Sequence, residues 1–387
     1  MFRQGVTSLS RDTRILRRYL KFILLTLAAA AVLWWFGRGL DWPSVRAGIG
    51  RADWRLIAVA VLIVWTTYFV RALRWRALLA PLTEASLREL FAATTVGFSA
   101  VFLIGRTGEV VRPTFLPLRD PRVRPAAAFV TIGVERIYDM VAVVVLFAVN
   151  LIWFRAPGGG DPAAYARVRE AGVGLLALSV LGIFALVVFK RYSRQVLAWC
   201  EARLERRPRL VRRAGAFVTH LLEQLAGALS VLVSARELAV TVGLTALLWG
   251  IIAVANWLVM RAFGLPFGAT ETLFVLGWAL VGSLVPTPGG AAGAFHAATA
   301  AGLIFLGIAR EEAAAISIVL HLVVFAPALV FGLYYFLRSD VSLERLRRLA
   351  ASETPEDEDA DDARRDETDA TVNAGGARAR RLERAKG

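Results

Sequence analysis

The sequence predicts an all-α polytopic membrane protein with about six full spans and two re-entrant hairpins, arranged as two inverted-topology repeats. Three observations lead to this fold class. Hydrophobic residues make up 57% of the chain and the mean hydropathy is +0.56, whereas a soluble domain keeps only about half of its residues apolar. The apolar residues form segments of about the length that crosses a bilayer. The basic residues lie mostly between those segments.

Eight apolar segments follow one another, and two of them have unusual lengths. They lie at about residues 19–36, 54–70, 89–104, 126–154, 171–189, 238–260, 272–308 and 313–337. A span needs about 20 helical residues, so 89–104 is short and 272–308 is nearly two spans with a break. The first segment follows a basic N-terminus, residues 1–18, and is too long for a signal-peptide core, which predicts a retained helix.

The distribution of Lys and Arg chooses between two topologies. If every segment crosses once, the basic loops 105–124 and 190–236 face outside while the basic N-terminus is inside, against the positive-inside rule. If the two unusual segments enter the membrane and return to the same side, each inside region carries four to eleven Lys or Arg. The outside loops then carry one to three each. The charges therefore favour two re-entrant hairpins, with both termini cytoplasmic.

This topology has an internal symmetry. Repeat one, about 19–154, and repeat two, about 171–337, each contain two spans, a hairpin and a third span, and three crossings invert the second repeat. Two weak sequence similarities between the repeats agree with this symmetry. "FVRAL" (69–73) resembles "VMRAF" (259–263), and "LIGRTGE" (103–109) aligns with "LVPTPGG" (284–290). Inverted repeats with broken helices are typical of transporters.

The tip of the second hairpin lies in "VPTPGGAAGAF", which cannot form one straight helix. Pro286 and Pro288 remove backbone donors, while Gly289, Gly290 and Gly293 permit tight turning. Irregular backbone at membrane depth must be buried in protein or line a wet cavity. The alternative is an ordinary surface loop between two short helices.

The tip of the first hairpin carries charges. Gly105 and Gly108 form the turn, and Arg106, Glu109 and Arg112 surround it. Charges inside lipid are expensive and must pair or contact water, and an arginine suits a lipid phosphate. Alternatively, Arg106 and Arg112 neutralise Glu109 or lie at the interface.

The next span contains "VERIYDM", which places charges at depth. Glu135 lies roughly 15 Å along the helix from Pro125, near the middle of the bilayer, and Asp139 lies one turn deeper on the same face. They pair with the hairpin arginines or Arg136, bind a cationic headgroup, carry a proton, or fix the helix register. His321 lies well inside the last span and either titrates or packs as a hydrogen-bonded residue.

Several functional classes are disfavoured. The single Cys200 excludes an internal disulfide framework, and the three histidines show no ligand spacing, so we expect no metal and no cofactor. A net charge of +15 follows from positive-inside topology rather than from nucleic-acid binding.

Two segments are not expected to cross the membrane, one within the predicted transmembrane domain of residues 19–337 and one after it. Residues 190–236 place basic residues beside apolar ones, which predicts amphipathic helices on the cytoplasmic surface. Residues 338–387 form a charged tail with few large apolar residues, which predicts disorder.

Four motifs in order carry a resemblance. "VRALRWRALL" (70–79), "GRTGEVVRP" (105–113), "ERIYDM" (135–140) and "PTPGGAAGAF" (286–295) resemble the flippase-like transmembrane family of lysylphosphatidylglycerol synthase, also called multiple peptide resistance factor. The resemblance covers about residues 12–337. It implies a prokaryotic cytoplasmic-membrane protein that moves polar or charged lipids between leaflets.

Two departures from the family qualify this expectation. The soluble aminoacyl-transferase domain is expected to be absent, because the chain after residue 338 is short and polar, so lipid lysylation is not expected. Many relatives have an acidic residue shortly after the Pro-Gly-Gly turn, where this chain has His296. A role that needs a carboxylate there is therefore in doubt.

The function expected is lipid translocation by alternating access, without enzymatic activity. Arg106, Arg112 and Arg136 would hold a phosphate, and Glu109, Glu135 and Asp139 would handle a headgroup cation or a proton. The expected partners are membrane lipids with anionic or zwitterionic headgroups, and the sequence leaves open a homodimer and a lipid-synthesis enzyme partner. Two alternatives remain: an intramembrane lipid-modifying enzyme that uses Glu135, Asp139 and His321, and a non-transporting scaffold.

Overall fold

The computed structural model describes residues 26–27, 29–154, 162–204, 219 and 235–339, and no strand occurs among them. The predicted N-terminal stretch 1–18, the part of the amphipathic segment within 205–218 and 220–234, and the tail from 340 onward lie outside the described residues. The helices are α1 (described over 29–37), α2 (Trp42–Arg51), α3 (Trp54–Leu79), α4 (Leu87–Ile104), α5 (Val111–Arg119), α6 (Pro125–Trp153), α7 (Pro162–Leu204), α8 (Ala235–Ala262), α9 (Ala269–Ser283), α10 (Pro288–Phe305) and α11 (Arg310–Leu337). The all-α class is confirmed.

Four helical stretches in the described part of the chain are long and apolar enough to cross a membrane. They are Trp54–Leu79, Leu87–Ile104, Arg236–Ala262 and Arg310–Leu337. Helix α6 has 29 residues but carries three charged residues in its first half. The chain is an integral membrane protein, and the count of about six full spans stays a prediction.

The helix ends follow local sequence signals. Asp53 caps α3, where its carboxylate accepts a hydrogen bond from the backbone N–H of Arg55 at 2.9 Å. At the start of α9, the backbone N–H of Gly268 donates to the Glu271 carboxylate at 2.9 Å. Pro125 and Pro288 occupy the first positions of α6 and α10, where a missing N–H costs nothing.

Two boundaries differ from the sequence-based expectation. Helix α2 forms within residues 37–53, which were expected to be a loop, because Pro43 near its start favours helix initiation. Helix α7 continues past residue 189 to Leu204, so the first part of the predicted amphipathic segment is helical, as expected, but continuous with the helix before it. It continues because the residues beyond its apolar stretch, such as Gln195, Leu197, Ala198 and Glu201, are good helix formers.

The chain forms two helical hairpins where the sequence predicted them. Helices α4 and α5 are joined by a 3₁₀ segment, Gly105–Val110, and pack against each other. The backbones approach so closely that a Cβ on Gly97 would lie 2.5 Å from the Cβ of Arg112. Helices α9 and α10 form the second hairpin, where a Cβ on Gly282 would lie 2.6 Å from the carbonyl oxygen of Ala294. Whether the hairpins re-enter the membrane stays a prediction.

The second hairpin tip has a left-handed backbone. Gly289, Gly290 and Ala291 have φ of 75°, 62° and 59°. Glycine adopts this conformation freely, whereas a residue with a Cβ pays about 1–2 kcal/mol for it. The predicted break in 272–308 is therefore confirmed. It consists of residues 284–287 followed by a left-handed turn.

The core lies between the helices that surround the hairpins. Helix α3 packs along α8, and α4 packs along α11. Buried apolar residues of α3, α8 and α11 form one large cluster with residues of α9 and α10, and the partly buried Phe91 and Phe98 of α4 pack against it. The two hairpins are thus held at the centre of the bundle, each against helices from the other half of the chain.

The loop between α5 and α6 is fixed by a carboxylate. Asp120 accepts hydrogen bonds from the Arg122 guanidinium at 2.8 Å and from the backbone N–H of Ser86 at 3.2 Å. The hydrogen-bonded Arg122 lowers the pKa of Asp120 from its ordinary 3.8 to about 2. This contact ties the end of the first hairpin to its beginning, since Ser86 precedes α4.

Candidate functional site

Six charged residues from three helices form one group inside the bundle. This arginine–carboxylate cluster consists of Arg71 and Arg74 on α3, Arg112 on α5, and Glu135, Arg136 and Asp139 on α6. The spacing of three residues on α3, and of four between the carboxylates on α6, places each pair on one helix face. The helices therefore present arginines and carboxylates to each other.

Glu135 is the centre of the cluster and is fully buried. Its Oε1 lies 2.6 Å from Nη1 of Arg112, 3.2 Å from Nη2 of Arg74 and 3.4 Å from Nη2 of Arg136. Three guanidinium groups therefore share one carboxylate oxygen. The helix that carries Glu135 is thereby joined to α3 and to the first hairpin.

Asp139 makes a bidentate pair with Arg74. The two distances are 2.7 Å and 3.0 Å, and Arg74 also donates to the hydroxyl of Thr245 on α8 at 3.1 Å. Arg71 and Arg136 approach Asp139 only to 3.9 Å and 4.0 Å. Arg74 is therefore fixed by short bonds, whereas Arg71 and Arg136 make looser ion pairs with Asp139.

The cluster carries a surplus of positive charge. Four guanidinium groups face two carboxylates, which leaves two formal positive charges. Aromatic faces take up part of this surplus, since Arg112 lies 4.2 Å from the ring centre of Trp75 and Arg71 lies 4.7 Å from that of Phe98. Counted together with Glu109, which lines the adjacent cavity, the formal excess is one positive charge, which favours an anion.

The cluster opens on a cavity of about 270 Å³. Its charged wall is formed by Arg71, Glu109, Arg136 and Asp139, and most of the other lining side chains are apolar. The side chain of Arg136 is 39% exposed, while that of Arg74 is fully buried. The volume is slightly below the range of typical ligand pockets, which begins at about 300 Å³. It suits a small polar group rather than a whole lipid.

The two hairpin tips meet at this cavity. Gly105 has φ of 71°, and a Cβ there would lie 3.1 Å from the carbonyl oxygen of Thr287. Gly105, Thr287, Gly290 and Ala291 all line the cavity. The glycine at position 105 is therefore needed for both its backbone conformation and the close approach of the second tip.

Two histidines lie together behind the second tip. The ring centres of His296 on α10 and His321 on α11 are 4.8 Å apart. Nε2 of His321 lies 3.3 Å from the carbonyl oxygen of Gly290. The sequence spacing gave no sign of this pair, because the two residues belong to different helices. No group of three or more His, Cys, Asp or Glu that could hold a metal occurs within the described part of the chain.

The residues predicted as a site fall into two neighbouring places. The structure brings Arg112, Glu135, Arg136 and Asp139 together, and Glu109 lies on the wall of the same cavity. The other place is the histidine pair. The side chain of Arg106 lies outside the described side chains.

The predicted tip residues have packing roles. Gly108 lies against the backbone of Ala100 and Val101, and Gly293 lies against Val32 of α1. Pro286 lies in the break between α9 and α10, and Pro288 and Gly289 begin α10.

Sequence reasoning missed Arg71 and Arg74 as site residues. They lie in "FVRALRW", at the end of an apolar segment, where arginines are usual for reasons of topology. A signal was present, because their spacing of three puts both on one face of α3 beside Trp75. Only the packing of α3 against α6 shows that this face is inside the bundle.

Comparisons with known proteins agree with the membrane fold. The family model of the lysylphosphatidylglycerol synthase TM region matches residues 20–332. The chain is also similar to "Glycosyltransferase AglD" of Haloferax volcanii, with 27% identity over 357 residues, which cover 83% of this chain and 54% of the relative. It thus spans about half the length of that curated relative. The comparison with solved structures found no match. Because the family model covers most of the chain, the protein belongs to the lysylphosphatidylglycerol synthase transmembrane-region family.

Proposed function

We propose that this protein moves lipid headgroups between the leaflets of a membrane by alternating access. The observation that carries the proposal is the cavity between the two hairpin tips, which places charged side chains inside an otherwise apolar bundle. Charged residues in membrane segments are costly and mark substrate or ion pathways. The small volume fits a headgroup, while the acyl chains stay in the bilayer.

The substrate of this proposal is a lipid with an anionic or zwitterionic headgroup. Arg136 and Arg71 bind its phosphate, because both line the cavity and both make only long contacts with Asp139. Arg74 and Arg112 position the carboxylates, because their short bonds to Asp139 and Glu135 occupy them. This division revises the expectation that Arg112 holds the phosphate.

Helix contacts support an inverted repeat in this function. Helix α6 ends the first repeat and contacts α8 of the second, and α11 ends the second repeat and contacts α3 of the first. Helices α3 and α8, which hold equivalent places, pack against each other. In the proposed cycle, the two re-entrant hairpins separate at one face and close at the other as the repeats rock.

The proposed location is the cytoplasmic membrane of a prokaryote, with both termini in the cytoplasm. The positive-inside distribution of Lys and Arg supports this orientation. The similarity to an archaeal protein supports a prokaryotic source.

The test is headgroup exposure in liposomes. Purified protein is reconstituted with fluorescent headgroup-labelled anionic phospholipid, and an impermeant quencher reports the loss of inner-leaflet protection. We expect Arg136→Ala to slow exposure at least about tenfold, equivalent to about 1.4 kcal/mol of lost transition-state stabilisation, because it removes the most exposed arginine of the cavity.

Arg169→Ala, at an exposed position on α7, is the matched control and should leave the rate unchanged. The proposal is wrong if wild-type liposomes expose headgroups no faster than protein-free liposomes for every anionic lipid tested.

A second candidate function is a lipid-modifying activity, favoured by the similarity to a protein named as a glycosyltransferase. Purified protein in detergent would then convert a lipid acceptor and a sugar donor into a glycolipid, which mass spectrometry detects. Lipid translocation cannot be observed in detergent, whereas a chemical product can. Product formation in detergent therefore distinguishes the two candidate functions. Absence of both activities would favour a scaffold that serves another enzyme.

A further inference from the structure

The histidine pair lies one layer behind the cavity wall. His296 and His321 are 8% and 6% exposed. Neither lines the cavity, but Gly290, Phe295 and Phe325, which contact them, do. The pair is therefore separated from the cavity by a single layer of residues that includes the second hairpin tip.

No countercharge accompanies the pair in the described part of the chain. Within that part, no Asp, Glu, Lys or Arg forms an ion pair with either ring. Among the described residues, the groups that contact the rings are the backbone of Ser317, Gly289 and Gly290, and aromatic rings from α1, α4, α10 and α11, namely Phe36, Phe102, Phe295 and Phe325. All of these groups are neutral.

One hydrogen bond assigns the nitrogens of His321. A carbonyl oxygen only accepts, so Nε2 of His321 carries the hydrogen that it donates to Gly290. Nδ1 of His296 is buried with no hydrogen-bond partner. In the neutral tautomer that carries its hydrogen on Nε2, this Nδ1 holds a free lone pair. His296 therefore offers a proton acceptor in an apolar shell.

The carboxylates of the arginine–carboxylate cluster are less suited to carry a proton than the histidine pair is. Three arginines surround Glu135, and Arg74 holds Asp139 with two bonds. A proton on either carboxylate would have to break these ion pairs. The imidazoles can take up a proton without breaking an ion pair, although burial disfavours the charged ring and the first charge opposes a second one on the adjacent ring.

We propose that His296 and His321 form a binding site for a single proton, and that this proton couples movement of the second hairpin tip to the pH difference across the membrane. The coupling rests on the proposed translocation function. A charged imidazolium donates from both nitrogens, and Nδ1 of His296 has no acceptor in the present arrangement. Protonation therefore favours a rearranged tip in which water or a carbonyl reaches this nitrogen.

In each half of the chain, the helix that follows the hairpin makes a contact with it, and the two contacts differ in kind. In the first half, Glu135 of α6 binds Arg112 of the hairpin through an ion pair. In the second half, His321 of α11 binds the carbonyl of Gly290 through a neutral hydrogen bond. The first contact joins two groups that are ordinarily charged at neutral pH, and the second is made by an imidazole, the side-chain type whose ordinary pKa lies nearest to neutrality. The second hairpin is therefore the switchable one.

The proton site is tested by nitrogen-15 NMR of histidine-labelled protein in lipid nanodiscs. His220→Gln removes the third histidine, so that the two remaining rings are observed between about pH 8 and about pH 4.5. We expect both rings to respond to one shared proton, and His321→Gln to alter the titration of His296. Rings that stay neutral throughout, or that titrate independently, would overturn the site.

The coupling is tested in the liposome assay with an imposed pH gradient. For each protein, the rate with the gradient is divided by its own rate without it. We expect a ratio of at least about five for the wild type, and a ratio near one for His296→Gln and for His321→Gln. Glutamine keeps a donor for the Gly290 carbonyl, and either single variant suffices if the other fails to fold.

The outcomes separate the two proposals. A wild type that moves lipid with a ratio near one overturns the coupling and leaves translocation intact. A wild type that moves no lipid at any pH overturns translocation and the coupling, while the NMR titration still decides whether the proton site exists.

Discussion

Single residues show why the arginine–carboxylate cluster is costly to disturb. Glu135 has no exposed surface, and Nη1 of Arg112 and Nη2 of Arg74 contact the same oxygen. Charges placed in an apolar interior are tolerated when they are paired, and removal of one partner leaves the other uncompensated. The cluster already has two formal positive charges in excess, so the loss of one negative charge is more damaging than the loss of one arginine.

Replacing Glu135 by Gln tests this charge balance. We expect Glu135→Gln to lower the free energy of unfolding by about 3–5 kcal/mol, since it leaves buried arginines without their countercharge, and to abolish headgroup exposure. Unfolding is measured in detergent by thermal denaturation. Glu170→Gln, at an exposed position on α7, is the control and should unfold like the wild type. A Glu135→Gln protein as stable as this control would contradict the assigned role of the carboxylate.

At the scale of elements, close helix contacts depend on small residues. Helix α11 passes α4 at Gly332, where an added Cβ would meet the hydroxyl of Ser99 and come 2.5 Å from the carbonyl oxygen of Thr95. The Ser99 hydroxyl in turn donates to the carbonyl of Ala328 at 2.6 Å. The first hairpin is thus joined to the last helix by backbone proximity and by this hydrogen bond.

Substitution of Gly332 tests this helix contact. We expect Gly332→Ala to destabilise the protein by about 1–3 kcal/mol, because α4 has to move away from α11. Gly250→Ala, on α8, is the matched control, since a Cβ there meets no atom within 4 Å. The control should be neutral or more stable by up to about 1 kcal/mol, as alanine favours helix over glycine. Equal stability of the two variants would show that α4 and α11 are farther apart than described.

The loop between α5 and α6 predicts a dependence of stability on pH. The pKa of Asp120 is lowered from 3.8 to about 2 by the Arg122 guanidinium, so the folded state favours the ionised form. This stabilisation is complete above about pH 5 and is lost as the pH falls towards 2. We expect Asp120→Asn to lower the unfolding free energy on the order of 1 kcal/mol at pH 7, with a difference from the wild type that shrinks between pH 5 and pH 2.

The measurement is denaturant unfolding in detergent at a series of pH values. Because other carboxylates titrate in the same range, only the difference between the wild type and Asp120→Asn is informative. A difference that stays constant down to pH 2 would contradict the lowered pKa.

At the scale of the whole molecule, the orientation of the first hairpin decides the topology. Helix α4 is long enough to cross a membrane, yet α5 folds back along it. If α4 and α5 enter and return, positions 84 and 170 lie on opposite sides, because α6 is the crossing between them. If α4 crosses fully and α5 lies outside, α6 returns the chain and both positions lie on the same side.

Cysteine labelling tests this topology. In a Cys200→Ala background, a membrane-impermeant maleimide is applied to intact cells and to permeabilised cells. Positions 84 and 170 are both exposed. We expect Glu170→Cys to react in intact cells and Glu84→Cys only after permeabilisation. Reaction of both from the same side would contradict re-entry of the first hairpin.

Much of the fold could be predicted because helix formation in a membrane depends on hydropathy summed over short segments of the chain. The apolar segments 54–70, 126–154, 238–260 and 313–337 each correspond to a helix that the structure contains. The break near Pro286 followed from residues that cannot continue a helix. Helix α2 was missed because its polar, glycine-containing sequence lacks an apolar run, and its helix depends on packing against α11.

Part of the candidate site could also be predicted, because some of its features depend on a single helix. The depth of Glu135 and Asp139 can be counted along one helix, so these residues were identified from the sequence. The roles of Arg71 and Arg74 could not be identified, because arginines at the end of a span are usual for topology. The pairing of His296 with His321 was equally hidden, since it joins two helices across a left-handed turn.

The sequence by itself determined that this protein is a helical membrane protein with two broken, hairpin-forming regions and buried carboxylates, because hydropathy, proline and glycine act within one segment. Only the tertiary structure decided which arginine meets which carboxylate, where the cavity lies and that two histidines are neighbours. These contacts join residues from helices far apart in the chain. Their existence depends on how whole helices pack, and no local pattern encodes that arrangement.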